Sequence, residues 1–239
     1  MSRPGAAGAT VASDSIAACA RQWPAAGIFD DAWLVHEDTH LLVLDKPAGL
    51  LSVPGRGADK ADCLAARARS RWPDALVVHR LDQATSGLLL MARSPAMQRA
   101  LGDAFANRRV AKRYEALVAG TPDALASDDG WGEIDLPLIV DWPNRPRSKV
   151  DLAVGKPSRT RWRVLGPGAA PGTTRLALEP LTGRSHQLRV HLLALGHPIV
   201  GDALYGGPPA ARLMLHACEL RLEHPATGQA LHFVRAPEF

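Results

Sequence analysis

The 239-residue chain is long enough to bury a sizeable core, and 46% of its residues are hydrophobic. No apolar run approaches the roughly 20 residues that cross a bilayer, and the N-terminal residues form no secretory signal. A formal net charge of +4 favours an anionic partner, although many ordinary proteins share this bias. The three cysteines are widely spaced, which argues against a disulfide framework and a zinc site and indicates a reducing cytoplasm.

Two segments of very different length are predicted. Residues 1–26 are rich in Ala, Gly and Ser and have little to bury, so we expect a flexible or weakly helical head. Residues 27–239 alternate between strand and helix patterns. We expect them to form one α+β domain with a mixed, mostly antiparallel sheet and flanking helices.

Strand patterns in the first half of the chain enclose a charged loop. Residues 34–35 and 41–44 predict a hairpin, and the irregular segment that follows could bring Lys46 close to a phosphate. The apolar runs 75–78 and 88–91 are typical of buried strands, and the loop between them carries one carboxylate, Asp82. A neighbouring cation such as Arg80 can hold such a carboxylate ionised. A lone turn aspartate, however, more often caps its own backbone.

Two helices are predicted before the middle of the chain. Asp62 is placed to cap a short helix that continues to Arg71. Ser94 and Pro95 then predict the start of an amphipathic helix that ends near Asn107. The densest basic cluster of the chain follows, and complementation of the helix dipole explains at most its first two members. The cluster consists of Arg108, Arg109, Lys112 and Arg113.

The second half predicts more strands, one helix and an irregular loop. A strand begins at Tyr114, where an aromatic residue most often faces the core. Residues 136–150 contain too many prolines for regular structure, and they either hold phosphates and stack a base or form a packed surface loop. Ser185 is the predicted cap of a helix that ends at Gly196. Further strands are predicted at residues 160–165, 174–181, 213–222 and 231–234, and the cations of the irregular loop are Arg145, Arg147 and Lys149.

Five or more short motifs occur in the order expected of one enzyme family. The central motif, His79-Arg80-Leu81-Asp82 followed by Thr85-Ser86-Gly87, resembles the signature of the RluA-type pseudouridine synthases. The resemblance runs from about Ile28 to the C-terminus. Residues 1–26 are too short for the S4-type RNA-binding domain that many members carry, so the chain resembles the branch without it. The other motifs are Asp45-Lys46-Pro47-Ala48-Gly49, Lys112-Arg113-Tyr114, Gly183-Arg184-Ser185-His186-Gln187-Leu188-Arg189-Val190-His191, Gly196-His197-Pro198-Ile199-Val200-Gly201-Asp202 and Leu215-His216-Ala217.

The resemblance implies the pseudouridine synthase fold with a central RNA-binding cleft, and an enzyme that isomerises uridine in RNA to pseudouridine. Its substrates would be a tRNA anticodon stem-loop and a large-subunit rRNA hairpin. The resemblance implies that Asp82 attacks the sugar of a flipped uridine, that Arg184 pairs with Asp82, and that Tyr114 stacks on the base. Leu188 would provide an apolar floor. Because isomerisation involves no redox change, we expect no cofactor and no metal.

RNA is the only partner that the resemblance implies, with no membrane contact, no obligate protein partner and a monomeric state in the cytoplasm. Alternatives are the same reaction at a different rRNA or tRNA uridine, and an RNA-folding chaperone that modifies nothing. A glycosidase would need a second carboxylate near the motif. Tyr205 and the three histidines at positions 186, 191 and 197 are interpreted as structural. The expected RNA contacts are His79, Arg80, Arg108, Arg109, Lys112, Arg113, Arg145, Arg147 and Lys149.

Overall fold

The computed structural model describes residues 27–57, 60–123 and 130–239, so the predicted head at residues 1–26 lies outside the described residues. Three helices occur in the described ranges, and none of them is long and apolar enough to span a membrane. They are α1 (Leu64–Arg71), α2 (Pro95–Ala106) and α3 (Gln187–Ala194). The strands are β1 (Leu34–Glu37), β2 (Leu41–Lys46), β3 (Leu76–Val77), β4 (Ser86–Ala92), β5 (Ala111–Ala119), β6 (Gly132–Asp135), β7 (Leu138–Val140), β8 (Ser148–Val150), β9 (Arg159–Pro167), β10 (Thr173–Pro180), β11 (Leu215–Glu223) and β12 (Ala230–Val234).

Ten of the described strands form one mixed sheet, in the order β1-β2-β4-β11-β5-β10-β9-β6, with β3 paired to β4 and β12 paired to β11. The pairing of β4 with β11 is parallel, and the other described pairings are antiparallel. This confirms the predicted α+β fold class. Ala217 on β11 lies opposite Gly87 on one side and Tyr114 on the other. The predicted Asp82 loop and Tyr114 therefore lie at neighbouring positions of the sheet, although they are far apart in sequence.

The central strands β2 and β4 are buried on both faces. Leu89 and Met91 pack with α1, whereas the alternating residues Leu88 and Leu90 pack with α2. Strands covered by helices on both faces need apolar residues at successive positions. The continuous apolar run that predicted a buried strand is thus explained by two helices, one on each face.

Residues 136–150 were expected to be irregular, and the structure shows this prediction to be wrong. β7 and β8 form a two-stranded antiparallel hairpin, with a 3₁₀ turn at Trp142–Asn144 between them. Proline removes a backbone donor and is excluded from the interior of such ladders. Here Pro137, Pro143 and Pro146 all lie outside the paired residues. At these positions the prolines do not interfere with the pairing of the two strands.

The helix starts agree with the sequence in one case and differ in another. Ser94 caps α2, because its Oγ accepts a hydrogen bond from the Met97 amide at 3.1 Å, as predicted. At α1 the cap is Cys63 rather than Asp62. The Asp62 carboxylate instead accepts two hydrogen bonds from Arg67, at 2.8 and 2.6 Å. A buried guanidinium that needs a partner therefore competes successfully for the carboxylate.

Gly87 is a position where the backbone requires glycine. Its φ is +110°, and a Cβ there would lie 2.4 Å from the carbonyl oxygen of Ala217. We expect Gly87→Ala to lower the free energy of unfolding by more than about 2 kcal/mol, measured by urea denaturation. The matched control is Gly102→Ala in α2, where a Cβ meets nothing within 4 Å and a gain of about 0.5–1 kcal/mol is expected. Equal stability of the two variants would contradict this account.

Candidate active site

A cavity of about 1430 Å³ lies where the Asp82 loop, the end of α2, the start of β5 and the N-terminal turn of α3 meet. This volume exceeds the 300–1,000 Å³ that is usual for small-molecule sites. The cavity brings together many of the side chains singled out from the sequence. Those that line it are His79, Arg80, Asp82, Arg108, Lys112, Arg113, Tyr114, Arg184 and Leu188.

Asp82 faces a guanidinium that is itself held by a second carboxylate. The Asp82 side chain is 28% exposed, and its Oδ2 lies 3.8 Å from Nη1 of Arg189. Arg189 Nε and Nη2 each donate a 2.7 Å hydrogen bond to Asp202, which is 1% exposed. Burial opposes the charged form of Arg189, but these bonds and the charge of Asp82 outweigh it and raise the Arg189 pKa. A positive charge is therefore fixed beside Asp82.

The structure corrects the predicted partner of Asp82. Arg184 was expected to pair with this carboxylate, but its Nε donates to the carbonyl oxygen of Pro157 at 3.4 Å and its side chain is exposed. The physical reason is the start of α3, which begins at Gln187 and not directly after the predicted cap Ser185. Arg184 consequently lies in the turn before the helix, whereas Arg189 lies within α3. Both arginines belong to one motif, and spacing alone did not distinguish them.

The turn before α3 is fixed by a single amide side chain. Gln187 Oε1 accepts hydrogen bonds from the Thr182 hydroxyl at 2.7 Å and from the Arg184 amide at 3.0 Å. Its Nε2 donates to the Arg159 carbonyl at 2.9 Å and to the Thr160 hydroxyl at 3.0 Å. Gln187 is buried, so these four bonds satisfy its amide group. They hold Arg184 in the turn.

Tyr114 and Leu188 form the apolar side of the cavity. Tyr114 lies on β5, and Leu188 in α3 is 7% exposed and belongs to the cluster against which Tyr114 packs. Burial raises the pKa of the Tyr114 phenol, and the charge of Asp82 raises it further. At neutral pH the Tyr114 hydroxyl therefore keeps its proton, and the side chain is uncharged beside the carboxylate. An aromatic ring and an aliphatic side chain next to a carboxylate suit a planar base attached to a polar sugar.

His79 is a structural anchor and not a cation of the site. Its Nε2 accepts a hydrogen bond from the Leu90 amide at 2.9 Å, and its ring stacks on Phe105 with centroids 4.5 Å apart. Burial lowers the His79 pKa to about 3, so the imidazole is neutral at physiological pH. His79 was expected to contact RNA; it lines the cavity, where its neutral ring carries no positive charge to offer a phosphate. The residue instead fixes the loop that carries Asp82.

Lys46 was expected to approach a phosphate, but it is fully buried under the Asp82 loop. Its Nζ donates to the carbonyl oxygens of Pro47, Leu50 and Gln83 at 2.9, 2.8 and 3.1 Å. Burial lowers the Lys46 pKa to about 7, while the charge of Asp82 acts in the opposite direction. Because Gln83 follows Asp82 directly, these bonds tie the carboxylate loop to the segment after β2.

The predicted basic residues differ in how they are paired. Arg113 contacts Glu179 at 2.9 Å and Glu219 at 3.2 Å, so its charge is already compensated. Lys112 has no carboxylate partner among the ion pairs of the described residues, and burial lowers its pKa. Arg108 adopts a left-handed φ of +57° at the cavity wall, and Arg109 is exposed outside it.

The cations of the β7–β8 hairpin form a separate cluster. Arg145 stacks on Trp142 with its Cζ 3.7 Å from the ring centroid, and Arg147 lies 5.4 Å from the ring of Tyr205. Arg147 and Lys149 line a smaller cavity of about 270 Å³ beside α3. Only Pro146 of the hairpin reaches the main cavity wall. Across the described ranges, no group of three or more His, Cys, Asp or Glu side chains is arranged to hold a metal ion.

Comparison with known proteins gives one consistent result. Residues 40–194 match the sequence model of the family described as RNA pseudouridylate synthase. The chain is 46% identical over 215 residues to the dual-specificity RNA pseudouridine synthase RluA of Escherichia coli strain K12, covering 87% of this chain and 95% of that protein. RluA of Haemophilus influenzae is 43% identical over 210 residues, with 86% and 93% covered. Among solved structures, human RNA pseudouridylate synthase domain containing 1 superimposes with a TM-score of 0.70 at 32% identity, covering 86% of this chain and 83% of that one.

The two arginines near the cavity should differ sharply in their effect on stability. Arg189→Met leaves Asp202 buried without its partner, which typically costs roughly 3–5 kcal/mol of unfolding free energy. Arg184→Met removes an exposed side chain with one long hydrogen bond and should change stability by less than about 0.5 kcal/mol. Urea denaturation of both variants gives the comparison. Similar losses in the two proteins would mean that the buried Arg189–Asp202 pair is not the stabilising contact described above.

Proposed function

This chain belongs to the RNA pseudouridine synthase family, and we propose that Asp82 is the residue with which it isomerises uridine to pseudouridine in RNA. The observation that carries the proposal is the position of Asp82, partly exposed at the wall of a large cavity with the Arg189 guanidinium 3.8 Å away. A carboxylate that must act on a sugar has to be reachable and correctly oriented. The Lys46 and His79 contacts hold its loop, and Arg189 supplies the neighbouring positive charge.

The isomerisation breaks the bond between N1 of uracil and C1′ of ribose and forms a bond between C5 and C1′. The hydrogen on C5 leaves as a proton and N1 gains one, so the composition of the nucleoside does not change. Asp82 can serve either as the nucleophile at C1′ or as the base that removes the 2′ proton to give a glycal. Neither route involves a redox change, so the proposal requires no cofactor and no metal.

The remaining cavity residues have separate roles in the proposal. The uncharged ring of Tyr114 stacks on the uracil, and Leu188 of α3 packs against the base. Arg80 is exposed at the cavity wall beside Asp82, where it can fill the gap that a flipped uridine leaves in the RNA. Arg184 lines the same cavity and keeps a role as a contact to RNA rather than as the partner of Asp82.

Contacts to the phosphates of the RNA backbone are proposed for the cations that form no ion pair with a carboxylate among the described residues. Lys112 at the cavity wall and the hairpin residues Arg147 and Lys149 fit this description. Arg145 and Trp142 together present an exposed stacked pair, since the Trp142 side chain is 67% exposed. Such a pair can hold a phosphate and an unpaired base. Arg108 and Arg109 complete the proposed path next to the end of α2.

The proposed substrates are a tRNA anticodon stem-loop and a large-subunit rRNA hairpin, because relatives with 46% identity are dual-specificity enzymes. The same reaction at a different uridine of either RNA is the second candidate, since loop contacts decide the choice of substrate. A chaperone without catalysis is disfavoured by the buried pair that fixes a charge beside Asp82, because RNA binding alone does not need it. We propose a cytoplasmic monomer that requires no protein partner.

Asp82→Asn should abolish the reaction while the variant still folds and binds RNA, because the change is nearly isosteric and removes only the charge. We expect tritium release from C5-labelled uridine in RNA to fall more than about a thousandfold. Asp74→Asn is the matched control, since this carboxylate pairs with Arg93 on the surface and its loss should leave the rate within about twofold. Residual turnover of Asp82→Asn within tenfold of wild type would remove Asp82 from its role.

The neighbouring cations Lys112 and Arg113 should contribute unequally to RNA binding. RNA affinity falls with salt as counterions are released, and the slope of log Kd against log salt drops by roughly one for each phosphate contact removed. We expect this drop for Lys112→Ala. Arg113→Ala should leave the slope nearly unchanged, because Arg113 already contacts Glu179 and Glu219. Titrations at several salt concentrations that gave equal slopes for both variants would contradict the assignment of Lys112 as the phosphate contact.

A further inference from the structure

We propose that Tyr205 is a positioning residue that couples the β7–β8 hairpin to the Arg189 guanidinium beside Asp82. The inference rests on the proposed function and concerns how RNA contact at the hairpin reaches the reacting carboxylate. Tyr205 is not among the residues that line the main cavity. Its contacts nevertheless join three segments that are separate in sequence.

The backbone of Tyr205 shares a carboxylate with Arg189. The Tyr205 amide donates to Asp202 Oδ1 at 3.2 Å, and the same oxygen accepts a 2.7 Å bond from Arg189 Nη2. The ring of Tyr205 also faces Arg189, whose Cζ lies 5.0 Å from the ring centroid. The position of the Arg189 guanidinium is therefore defined by Asp202 on one side and by the Tyr205 ring on another.

The hydroxyl of Tyr205 connects this pair to the hairpin. It accepts a 2.8 Å hydrogen bond from the Ser148 amide, at the start of β8. Arg147, the residue before Ser148, lies 5.4 Å from the same ring by its Cζ. The Tyr205 ring thus lies beside two guanidinium groups, Arg147 on the hairpin that is proposed to contact RNA and Arg189 beside Asp82. A shift of the hairpin changes the surroundings of both.

The same hydroxyl also reaches the turn before α3. It lies 2.8 Å from Nδ1 of His186, a residue that lines the main cavity and adopts a left-handed φ of +55°. Such a conformation is costly for a residue other than glycine and is maintained by surrounding contacts. His186 directly precedes α3, the helix that carries Arg189. The hydroxyl therefore holds the start of this helix as well as the hairpin.

Packing alone does not account for a tyrosine at this place. Tyr205 is 4% exposed, and a buried hydroxyl needs polar partners that a phenylalanine would not require. The partners here belong to the hairpin and to the α3 turn. A hydroxyl that bridges these two segments gives the hairpin a mechanical connection to the reacting site. This connection extends the sequence-based interpretation of Tyr205 as a purely structural residue.

A double-mutant cycle between Arg147 and Tyr205 tests the coupling. The variants are Arg147→Ala, Tyr205→Phe and the double variant, and the measurement is the single-turnover rate of tritium release at saturating concentrations of a C5-labelled anticodon stem-loop. Saturating RNA removes effects on affinity, so the measured rate reports the chemical step. Each single variant should slow this step, because each disturbs the position of the Arg189 guanidinium. We expect the combined loss to be smaller than the product of the single losses by roughly fivefold or more. Multiplicative losses would overturn the proposal.

The matched control is a second double-mutant cycle, in which Arg145→Ala takes the place of Arg147→Ala. Arg145 stacks on Trp142 and has no contact with Tyr205 among the described interactions, so Arg145→Ala and Tyr205→Phe should combine multiplicatively. Coupling of equal size in both cycles would also overturn the proposal, because it would indicate a general effect of the hairpin.

A second variant keeps the test valid if Tyr205→Phe is too unstable for the assay. Arg147→Met retains the stem and removes the cation, and we expect its single-turnover rate to stay reduced at saturating RNA. Full recovery of the rate at high RNA concentration would show that Arg147 is only a phosphate contact, and this would reject the coupling. If the wild-type protein itself releases no tritium from any uridine-containing RNA, the proposed function fails instead, so the two failures are distinguishable.

Discussion

The site depends on one buried guanidinium that is shared by two carboxylates. Arg189 uses Nε and Nη2 for Asp202, and its planar geometry then leaves Nη1 on the side of Asp82. A lysine would offer a charge but no fixed direction. Because Asp202 is buried and costly to leave without a cation, the pair that places a positive charge beside Asp82 also contributes to stability. The proposed function and the stability of the fold therefore depend on the same pair of residues.

The sheet explains why the site forms where it does. The parallel pairing of β4 with β11, and the antiparallel pairing of β11 with β5, place Gly87, Ala217 and Tyr114 side by side. The Asp82 loop enters β4 at this point, held by Lys46 below and by His79 against Phe105. α3 approaches from the other half of the sheet and brings Leu188 and Arg189. Tyr114, Leu188 and Arg189 thus come from a strand and a helix, and Asp82, the group proposed to react, lies on a loop held by these contacts.

Local patterns in the sequence predicted a large part of this arrangement. The apolar run after Asp82 correctly indicated a buried strand, and Ser94-Pro95 correctly indicated the start of α2. The resemblance correctly implied the family. It also singled out Asp82, Tyr114 and Leu188, which line one cavity in the structure. These features depend on short-range rules or on motifs that persist in order along the chain.

The features that were predicted wrongly depend on contacts between distant segments. Whether Arg184 or Arg189 reaches Asp82 is decided by the exact start of α3 and by Asp202, which lies 13 residues after Arg189. The β7–β8 hairpin was missed because its prolines lie outside the paired positions, which composition does not reveal. The hydrogen bond between the Tyr205 hydroxyl and the Ser148 amide, 57 residues away, was not predicted at all, for the same reason.

The most direct test of the central claim is a map of pseudouridine in total RNA from cells with and without this gene. If the chain is the enzyme proposed here, specific pseudouridines in a tRNA anticodon stem-loop and in a large-subunit rRNA hairpin disappear without the gene. They should return when the wild-type chain is supplied and stay absent when Asp82→Asn is supplied. An unchanged pseudouridine map, or full restoration by Asp82→Asn, would contradict the account.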